Sequence, residues 1–322
     1  MLNIAVSVRK CAAIFVGLLL FLQPLAADTA ELVRVQLKWY NSGQFAGFYA
    51  ALAKGYYRDA GLDVQLLEGG RGINVPEVVA DGRAEFGVED PIKIIAHIDT
   101  GKAIIAISTI FQRNPQALIS RKELNITKPS QLIDKTIRLL KPQEVAGLTI
   151  LAQLGVRRDR FKIDRSASEI DNLKHSDVDV WFSYLTNMAA KADAAGIPIN
   201  IIYPDDFRVH VPGDSIIVSK AYLGAKPNIG RRFVTATVKG WRFAAGHIDE
   251  TVNIMQSYNM DYTKGSLTSN MKITGALLRG PDDQIGNINI ENWQKIANTM
   301  FYLGFVSSKI DARRFIDDVL SD

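Results

Sequence analysis

Cysteine is nearly absent from this chain of 322 residues, in which Cys11 is the only one. A single thiol cannot form a disulfide within the chain, and it cannot supply the several thiolates of a cysteine zinc site. The fold must therefore be stabilised by its apolar core, for which the 47% of hydrophobic residues are sufficient.

An excess of charge of either sign is missing as well. Lys and Arg number 38 and Asp and Glu number 34, so the formal net charge is +4. Nucleic-acid-binding proteins usually concentrate many more uncompensated Lys and Arg residues against the phosphates. We therefore expect no nucleic acid among the partners of this protein.

The motifs of the common enzyme classes are missing too. The histidines occur singly, so there is no His-Glu-x-x-His zinc motif, and there is no Gly-x-Ser-x-Gly elbow or Walker loop. Gly70 and Gly72 lack the third glycine of a dinucleotide fingerprint, which favours a tight turn between a strand and a helix. The sequence favours a binding protein over an enzyme, and we expect no catalytic residue, no metal and no cofactor. The histidines are His97, His175, His210 and His247.

The one long hydrophobic run lies at the N-terminus. Residues 11–22 are apolar or small, two basic residues precede them, and Pro24 and the pair Ala26-Ala27 follow. The run is shorter than the about 20 residues that span a bilayer, which favours a secretory signal peptide over an uncleaved anchor. We predict that residues 1–27 form a signal peptide cleaved close to the alanine pair, and that the protein is exported to the periplasm. Cleavage would also remove Cys11, and with it any cysteine nucleophile.

Short apolar strands alternate with helical stretches from Glu31 onward. Such alternation predicts an α/β fold with parallel sheets and right-handed crossovers. The predicted strands are 33–39, 62–67, 85–88, 103–111, 116–120, 136–140, 177–182, 199–203 and 215–219. The predicted helices include 45–57, one that begins at Asp90-Pro91, 144–154 and 187–195, and the chain from Pro227 onward is mostly helical.

Two breaks interrupt this alternation, at Gln112–Pro115 and at Val211–Asp214. The residues between them form a coherent unit of their own, which is typical of an inserted domain. We predict lobe 1 from residues 28–112 plus 213–322 and an inserted lobe 2 from residues 113–212. Because the chain crosses twice between the lobes, this pattern indicates a two-strand hinge.

Several blocks of the sequence are similar to those of one known family. They begin with Lys38-Trp-Tyr-Asn-Ser-Gly-Gln-Phe-Ala-Gly-Phe-Tyr49 and include Gly82-Arg-Ala-Glu-Phe-Gly-Val88. These blocks resemble the periplasmic substrate-binding proteins related to the thiamine-pyrimidine synthases, and the resemblance covers most of the exported chain. The other blocks are 53–64, 109–112, 179–187, 203–207 and 239–244.

The resemblance implies a type II periplasmic-binding fold, in which two α/β lobes clamp a ligand between them. It implies the receptor of an ABC importer, with a membrane permease and an ATPase as partners and a small planar heterocycle, such as a thiamine pyrimidine precursor, as its solute. We expect a monomer. One departure concerns the ligand: the family often has Thr-Asn-Glu-Pro where this chain has Thr186-Asn187-Met188-Ala189. Met188 cannot pair with an aminopyrimidine as a glutamate would.

Three alternatives stay open. One is a receptor for another small solute, such as riboflavin or a sulfonate, and another is the ligand-sensing partner of a membrane signalling protein. The third is an enzyme of thiamine-pyrimidine synthesis, since eukaryotic synthases share the fold family. That enzyme would need a cytosolic chain and a cysteine-rich motif, which the predicted signal peptide and the single cysteine oppose.

Candidate ligand-binding residues follow the predicted strands, because ligands of open α/β sheets bind beyond the carboxyl ends of the strands. Trp39 ends the first predicted strand and can stack on a planar ring, whereas Tyr40 is more suited to packing under the next helix. Asn41, Gln44 and Phe45 lie in the adjoining turn, where they serve either the site or the start of the helix.

The next candidates follow the third strand and the first crossing. Glu89 has no local structural explanation and is a better ligand partner than Asp90, which before Pro91 is typical of a helix N-cap. Phe111 and Gln112 lie at the crossing, where the Gln112 amide offers both donors and an acceptor.

In lobe 2, Tyr184 and Asn187 follow the strand that includes Trp181, and Tyr184 is the preferred second-lobe contact. We expect Trp181 and the mid-helix Trp241 to pack in the core. The predicted ligand-binding set is therefore Trp39, Asn41, Gln44, Phe45, Glu89, Phe111, Gln112, Tyr184 and Asn187.

Overall fold

The computed structural model describes residues 30–166, 177–258, 262–278 and 284–320. The predicted signal peptide lies outside these described residues. The strands are β1 (Glu31–Gln36), β2 (Leu62–Leu67), β3 (Phe86–Glu89), β4 (Ile104–Thr109), β5 (Gln116–Arg121), β6 (Thr136–Arg138), β7 (Lys162–Asp164), β8 (Val180–Tyr184), β9 (Ile199–Ile202) and β10 (Ser215–Ser219).

Helices surround these strands. They are α1 (Ala46–Ala53), α2 (Tyr56–Asp59), α3 (Val75–Ala80), α4 (Pro91–Asp99), α5 (Glu144–Gln153), α6 (Leu185–Ala194), α7 (Lys220–Ala225), α8 (Pro227–Gly246), α9 (Ile248–Ser257), α10 (Lys264–Leu278) and α11 (Ile290–Tyr302). Within the described ranges, no helix is both long and apolar enough to cross a membrane.

The first sheet has five strands in the order β2-β1-β3-β10-β4. β1 is parallel to β2 and to β3, as expected where helices connect successive strands. β10 is antiparallel to both β3 and β4. The prediction of a parallel sheet is therefore confirmed for β1, β2 and β3 and wrong for β10, because β10 enters this sheet from the second one rather than from a helix that follows β4.

The second sheet also has five strands, in the order β7-β6-β8-β5-β9. β6 is parallel to β7 and β8, whereas β5 is antiparallel to β8 and β9. β7 was not among the predicted strands, because it is three residues long and both of its ends are charged. The predicted strand 177–182 corresponds to β8, which lies slightly later in the chain.

The chain passes between the two sheets twice, after β4 and before β10. These two crossing segments are hydrogen-bonded to each other. The Gly213 N–H donates to the Phe111 carbonyl at 2.8 Å, and the Asn114 side chain donates to the Pro212 carbonyl at 3.0 Å. The paired segments lie where the hinge is expected, while the exact lobe boundaries stay a prediction.

Helices α1 and α8 approach each other closely because each presents a glycine at their contact. A Cβ atom at Gly240 would lie 2.2 Å from the Gly47 carbonyl oxygen, and a Cβ atom at Gly47 would lie 2.1 Å from the Trp241 ring. The Trp241 ring is fully buried and meets Phe48 and Phe111 edge-on. The prediction that Trp241 packs in the core is confirmed.

Candidate functional site

Buried charged side chains meet beyond the carboxyl ends of β1 and β3. Lys38 lies shortly after β1, Asp90 follows β3, and Asp214 directly precedes β10. The Lys38 ammonium is 2.5 Å from Asp214 Oδ1 and 2.9 Å from Asp90 Oδ2, and these residues are only 8%, 1% and 7% exposed. Gln44 donates from Nε2 to Asp214 Oδ2 at 2.6 Å. We call Lys38, Gln44, Asp90 and Asp214 the charge cluster.

Tyr184 connects this cluster to the second sheet. It is the last residue of β8, and its hydroxyl accepts a hydrogen bond from Lys38 Nζ at 2.6 Å. The same hydroxyl donates to the Asp90 carboxylate, with Oδ2 at 3.0 Å. A single side chain of the second sheet thus contacts both signs of charge in the first, which is the geometry of a closed cleft between two lobes.

One ammonium faces two carboxylates here, so the charge cluster has a formal excess of negative charge. Burial alone would lower the pKa of Lys38, but the charges of Asp214 and Asp90 outweigh burial and hold that pKa well above its ordinary value. Burial raises the pKa of Asp214, and Lys38 offsets this only in part. Burial acts on Asp90 in the same sense, yet Lys38 and Lys93 outweigh it and lower the Asp90 pKa. Lys38 is therefore a fixed cation, and the carboxylates can still accept hydrogen bonds from donors.

The roles of Glu89 and Asp90 differ from the sequence-based interpretation. Asp90 occupies the N-cap position of α4, but its side chain makes no capping hydrogen bond and instead binds Lys38 and Tyr184. The predicted N-cap position is therefore confirmed, but the side chain does not cap the helix, because two long-range partners compete with the local backbone. The Glu89 carboxylate accepts from the Asp90 N–H at 2.9 Å and lies 3.5 Å from Lys93 Nζ. Burial raises the Glu89 pKa, and its contact with a ligand stays a prediction.

The aromatic residues after β1 lie at the surface. β1 ends at Gln36, so the predicted strand was too long and Trp39 lies in the following bend. The Trp39 side chain is 40% exposed and contacts the Tyr40 ring edge-on at 5.2 Å between centroids. Asn41 accepts a hydrogen bond from the Tyr49 hydroxyl and donates its backbone N–H to Glu68 at 2.8 Å. Trp39 is thus available for stacking, whereas Asn41 orders the turn.

The remaining predicted residues are less accessible. Phe45 and Phe111 are fully buried in an apolar core that includes residues of both sheets, so the structure places their rings in packing rather than at an open cleft. The Gln112 amide donates to the Thr109 carbonyl at 2.8 Å and to the Asn287 carbonyl at 3.0 Å, which fixes its orientation. The Asn187 side chain lies outside the described residues. Of the predicted set, Gln44 and Tyr184 are the residues whose side chains contact the charged side chains of the cluster: Gln44 contacts Asp214, and Tyr184 contacts Lys38 and Asp90.

Two central residues of this site, Lys38 and Asp214, were missed by sequence reasoning. Lys38 was predicted only as part of the first strand, with no role in the site, and Asp214 was interpreted as part of a break in the strand and helix alternation. Their positions in the sequence could have indicated the site, because each is an isolated charged residue beside the end of a strand, where ligands of α/β sheets bind. Among the described residues, no group of three or more His, Cys, Asp or Glu side chains is placed to hold a metal ion.

Comparison of the sequence with known families and proteins identifies similar chains. The family profile described as NMT1/THI5 like matches residues 42–251. The chain is 20% identical to the riboflavin-binding protein RibY of Chloroflexus aurantiacus, over 90% of this chain and 86% of that protein. It is 19% identical to the formylaminopyrimidine-binding protein of Halalkalibacterium halodurans, over 86% of this chain and 89% of that protein.

One similar protein is an enzyme. The 4-amino-5-hydroxymethyl-2-methylpyrimidine phosphate synthase of Legionella pneumophila is 24% identical, but the match spans 45% of this chain and 46% of the synthase. The fold is similar to that of the periplasmic aliphatic sulphonate binding protein SsuA from Escherichia coli, with a TM-score of 0.72 and 14% identity over 89% of this chain and 92% of that one. This likeness confirms the predicted periplasmic-binding-protein fold.

Proposed function

Because the chain belongs to the NMT1/THI5-like family, we propose that it is the solute-binding receptor of an ABC importer. One observation supports this most directly: the Tyr184 hydroxyl of the second sheet lies within hydrogen-bond distance of Lys38 and Asp90 of the first. Clamping receptors need such side chains, which face one another across a cleft and rearrange around a solute.

The mechanism follows from the two sheets and their paired crossings. A solute that contacts both the charge cluster and Tyr184 binds more tightly when the lobes are close together than when they are apart. By binding the closed state better, it shifts the hinge equilibrium toward closure. The closed receptor would then deliver its solute to a membrane permease that is driven by an ATPase.

The charge of the site favours one class of solute. Two buried carboxylates near one ammonium attract hydrogen-bond donors and repel anions, so an amino- or imino-bearing heterocycle fits better than a sulfonate. The exposed Trp39 ring can stack on a planar solute. The relatives named for riboflavin and formylaminopyrimidine point to the same class. We therefore propose a small planar heterocycle, such as a thiamine pyrimidine precursor, as the solute.

The other functions are less well supported. A sensing partner of a membrane signalling protein would use the same clamp, and neighbouring genes for a permease and an ATPase, rather than a histidine kinase, would separate the two. A pyrimidine synthase is suggested by the relative from Legionella pneumophila, which matches less than half of this chain.

The predicted location is the periplasm, reached through a cleaved signal peptide of residues 1–27. The exported protein should begin close to Asp28, and it should be a monomer. N-terminal sequencing of the exported protein tests the cleavage site, and an intact Met1 in the membrane fraction would contradict the predicted signal peptide.

The solute and the role of Trp39 can be tested together by calorimetric titration. We expect formylaminopyrimidine or riboflavin to bind and pentanesulfonate not to bind. Trp39→Ala removes the stacking surface and should cost about 2–4 kcal/mol of binding free energy, or about 30–1,000-fold in affinity. Its thermal melt should stay unchanged, because the ring is 40% exposed.

Tyr302→Ala is the matched control, since Tyr302 is a 77% exposed aromatic residue on α11, a helix that contains no residue of the charge cluster. It should leave binding unchanged. Tight binding of the sulfonate, or a Trp39→Ala variant that binds as well as the wild type, would contradict the proposed site.

A further inference from the structure

A buried glutamine of the second sheet has an unsatisfied hydrogen-bond acceptor. Gln116 is the first residue of β5 and is 2% exposed, and its side-chain oxygen Oε1 has no hydrogen-bond partner among the described residues. Nearly all buried polar side-chain atoms in proteins are hydrogen-bonded, because an unpaired one loses its water without compensation. We therefore expect Oε1 of Gln116 to have a hydrogen-bond donor that is not part of the described residues.

The position of Gln116 relates it to the candidate site. Gln116 and Tyr184 are direct partners in the antiparallel pairing of β5 with β8. Directly paired residues point to the same face of a sheet, with their Cβ atoms about 4.5–5.5 Å apart. The unpaired oxygen therefore belongs to the side chain next to Tyr184, whose hydroxyl contacts Lys38 and Asp90.

The backbone around Gln116 is held firmly by the crossing segments. The Gln116 N–H donates to Asn114 Oδ1 at 2.8 Å, and the Asn114 amide in turn donates to the Pro212 carbonyl at 3.0 Å. On the other side, the Leu185 N–H donates to the Pro115 carbonyl at 2.7 Å. These bonds fix the start of β5 against both the hinge and the end of β8, so the side chain is presented at a defined place.

Other buried atoms without partners do not share this setting. The indole nitrogens of Trp241 and Trp293 lie within the apolar cores, and the hydroxyls of Thr251 and Thr274 lie on helices α9 and α10. Gln116 differs from them because its cross-strand partner belongs to the contact between the two sheets.

We propose that Gln116 binds the solute, with Oε1 accepting a hydrogen bond from an N–H or O–H group of the bound molecule. This inference rests on the proposed receptor function and narrows its solute class. With Asp90, Asp214 and Gln116 all presenting oxygen acceptors, the solute needs donors directed at both lobes. A heterocycle with at least two N–H or O–H groups meets this requirement, and a sulfonate, whose oxygens only accept, does not.

Gln116→Met tests the proposal, because methionine is unbranched and similar in length but offers no comparable acceptor. In the solute-free protein, the change removes an unpaired buried oxygen and should raise Tm by about 2–4 °C. In calorimetric titration with formylaminopyrimidine and riboflavin, it should weaken the binding of the heterocycle that the wild type binds by roughly 10–100-fold.

Gln36→Met is the matched control. Gln36 is also a buried glutamine of a strand, but its amide donates to the carbonyls of Leu37 at 3.0 Å and Glu68 at 3.1 Å. Loss of these bonds should lower Tm, so the two substitutions should act in opposite directions. A fall in Tm for Gln116→Met as large as that for Gln36→Met would mean that Oε1 is already bonded without solute, and would overturn the proposal.

The calorimetric titration distinguishes a failure of the Gln116 proposal from a failure of the proposed receptor function. If a heterocycle binds the wild type and Gln116→Met with equal affinity, Gln116 is not a solute contact, although the receptor function stands. If pentanesulfonate binds the wild type and the heterocycles do not, the heterocycle proposal fails, and the donor-bearing solute class inferred from Gln116 fails with it.

Discussion

Lys38 is the residue on which the charge cluster depends. It is the ammonium between two carboxylates that are themselves almost fully buried, at 2.5 Å from Asp214 and 2.9 Å from Asp90. A buried charge that loses its partner costs far more than an exposed one, because water cannot replace the missing interaction. Lys38 therefore stabilises the fold as well as arranging the site.

We predict that Lys38→Met destabilises the protein by about 3–5 kcal/mol at neutral pH. How this destabilisation changes with pH follows from the pKa of Asp90. Burial acts to raise the Asp90 pKa, and in the wild type Lys38 and Lys93 outweigh burial and lower it. The wild-type contribution of Asp90 is thus present above its unfolded pKa and is lost as the pH falls through the folded pKa.

Without Lys38, burial should raise the pKa of Asp90, as it already does for Asp214. A carboxyl group whose pKa is higher in the folded state than in the unfolded state makes folding less favourable as the pH rises through that pKa. The loss of unfolding free energy caused by Lys38→Met should therefore be larger at pH 7.5 than at pH 4.5. Urea unfolding at about these two pH values measures the difference. Lys54→Met is the control, because Lys54 and Glu250 form an exposed pair that contributes less than about 1 kcal/mol. An equal loss at both pH values would contradict this account.

The residues of the charge cluster differ in how far the sequence could predict them. Gln44 and Tyr184 were predicted from their places near strand ends, and the structure brings both to the charge cluster. Asp90 was interpreted from its neighbour Pro91 alone, and Lys38 from strand alternation. Asp214 lies 176 positions from Lys38, so no local pattern could show that the two side chains are paired.

Elements were predictable where a local pattern is strong. β2 and β10 begin and end where apolar patterning predicted, and α4 begins at the predicted proline. β7 lacks such a pattern, and the antiparallel direction of β10 depends on a pairing across the whole chain. Element type is thus a local property, whereas strand direction is decided by tertiary contacts.

At the element scale, we predict that Gly240→Ala separates α1 from α8 and lowers the free energy of unfolding by about 1–3 kcal/mol or more. The added Cβ would lie 2.2 Å from a backbone oxygen of Gly47 and 2.6 Å from the Ala51 Cβ, so one helix must move. Gly246→Ala on the same helix is the control. A Cβ there meets nothing within 4 Å, and stability should stay equal or rise slightly through helix propensity. Chemical unfolding of both variants is the measurement, and equal stabilities would show that the contact is loose.

At the scale of the whole molecule, the contact between the lobes should depend on one hydroxyl. Tyr184→Phe removes the group that accepts from Lys38 and donates to Asp90. A hydrogen bond to a charged group contributes about 1.5–3 kcal/mol, so the closed state should lose roughly 10–100-fold in population relative to the open one.

Small-angle scattering should therefore give a larger radius of gyration for Tyr184→Phe than for the wild type, and saturating solute should reduce the wild-type radius. Tyr302→Phe, which changes an exposed tyrosine outside this contact, should scatter like the wild type. A wild-type profile that is unchanged by solute would count against hinge closure.

The place of β10 in the first sheet has a consequence for the order in which the molecule folds. β10 lies between β3, which ends at Glu89, and β4, which ends at Thr109, yet it consists of residues Ser215–Ser219. A chain is synthesised from its N-terminus, so β3 and β4 are made long before β10. The edges of β3 and β4 that face each other therefore cannot be paired until more than a hundred residues after β4 have been made. Such non-local pairing slows folding, because a long loop must close before its contacts form. The second sheet, whose strands all lie between Gln116 and Ile202, can be assembled earlier. This sheet can therefore form while the first sheet still lacks β10, the strand that joins β3 to β4.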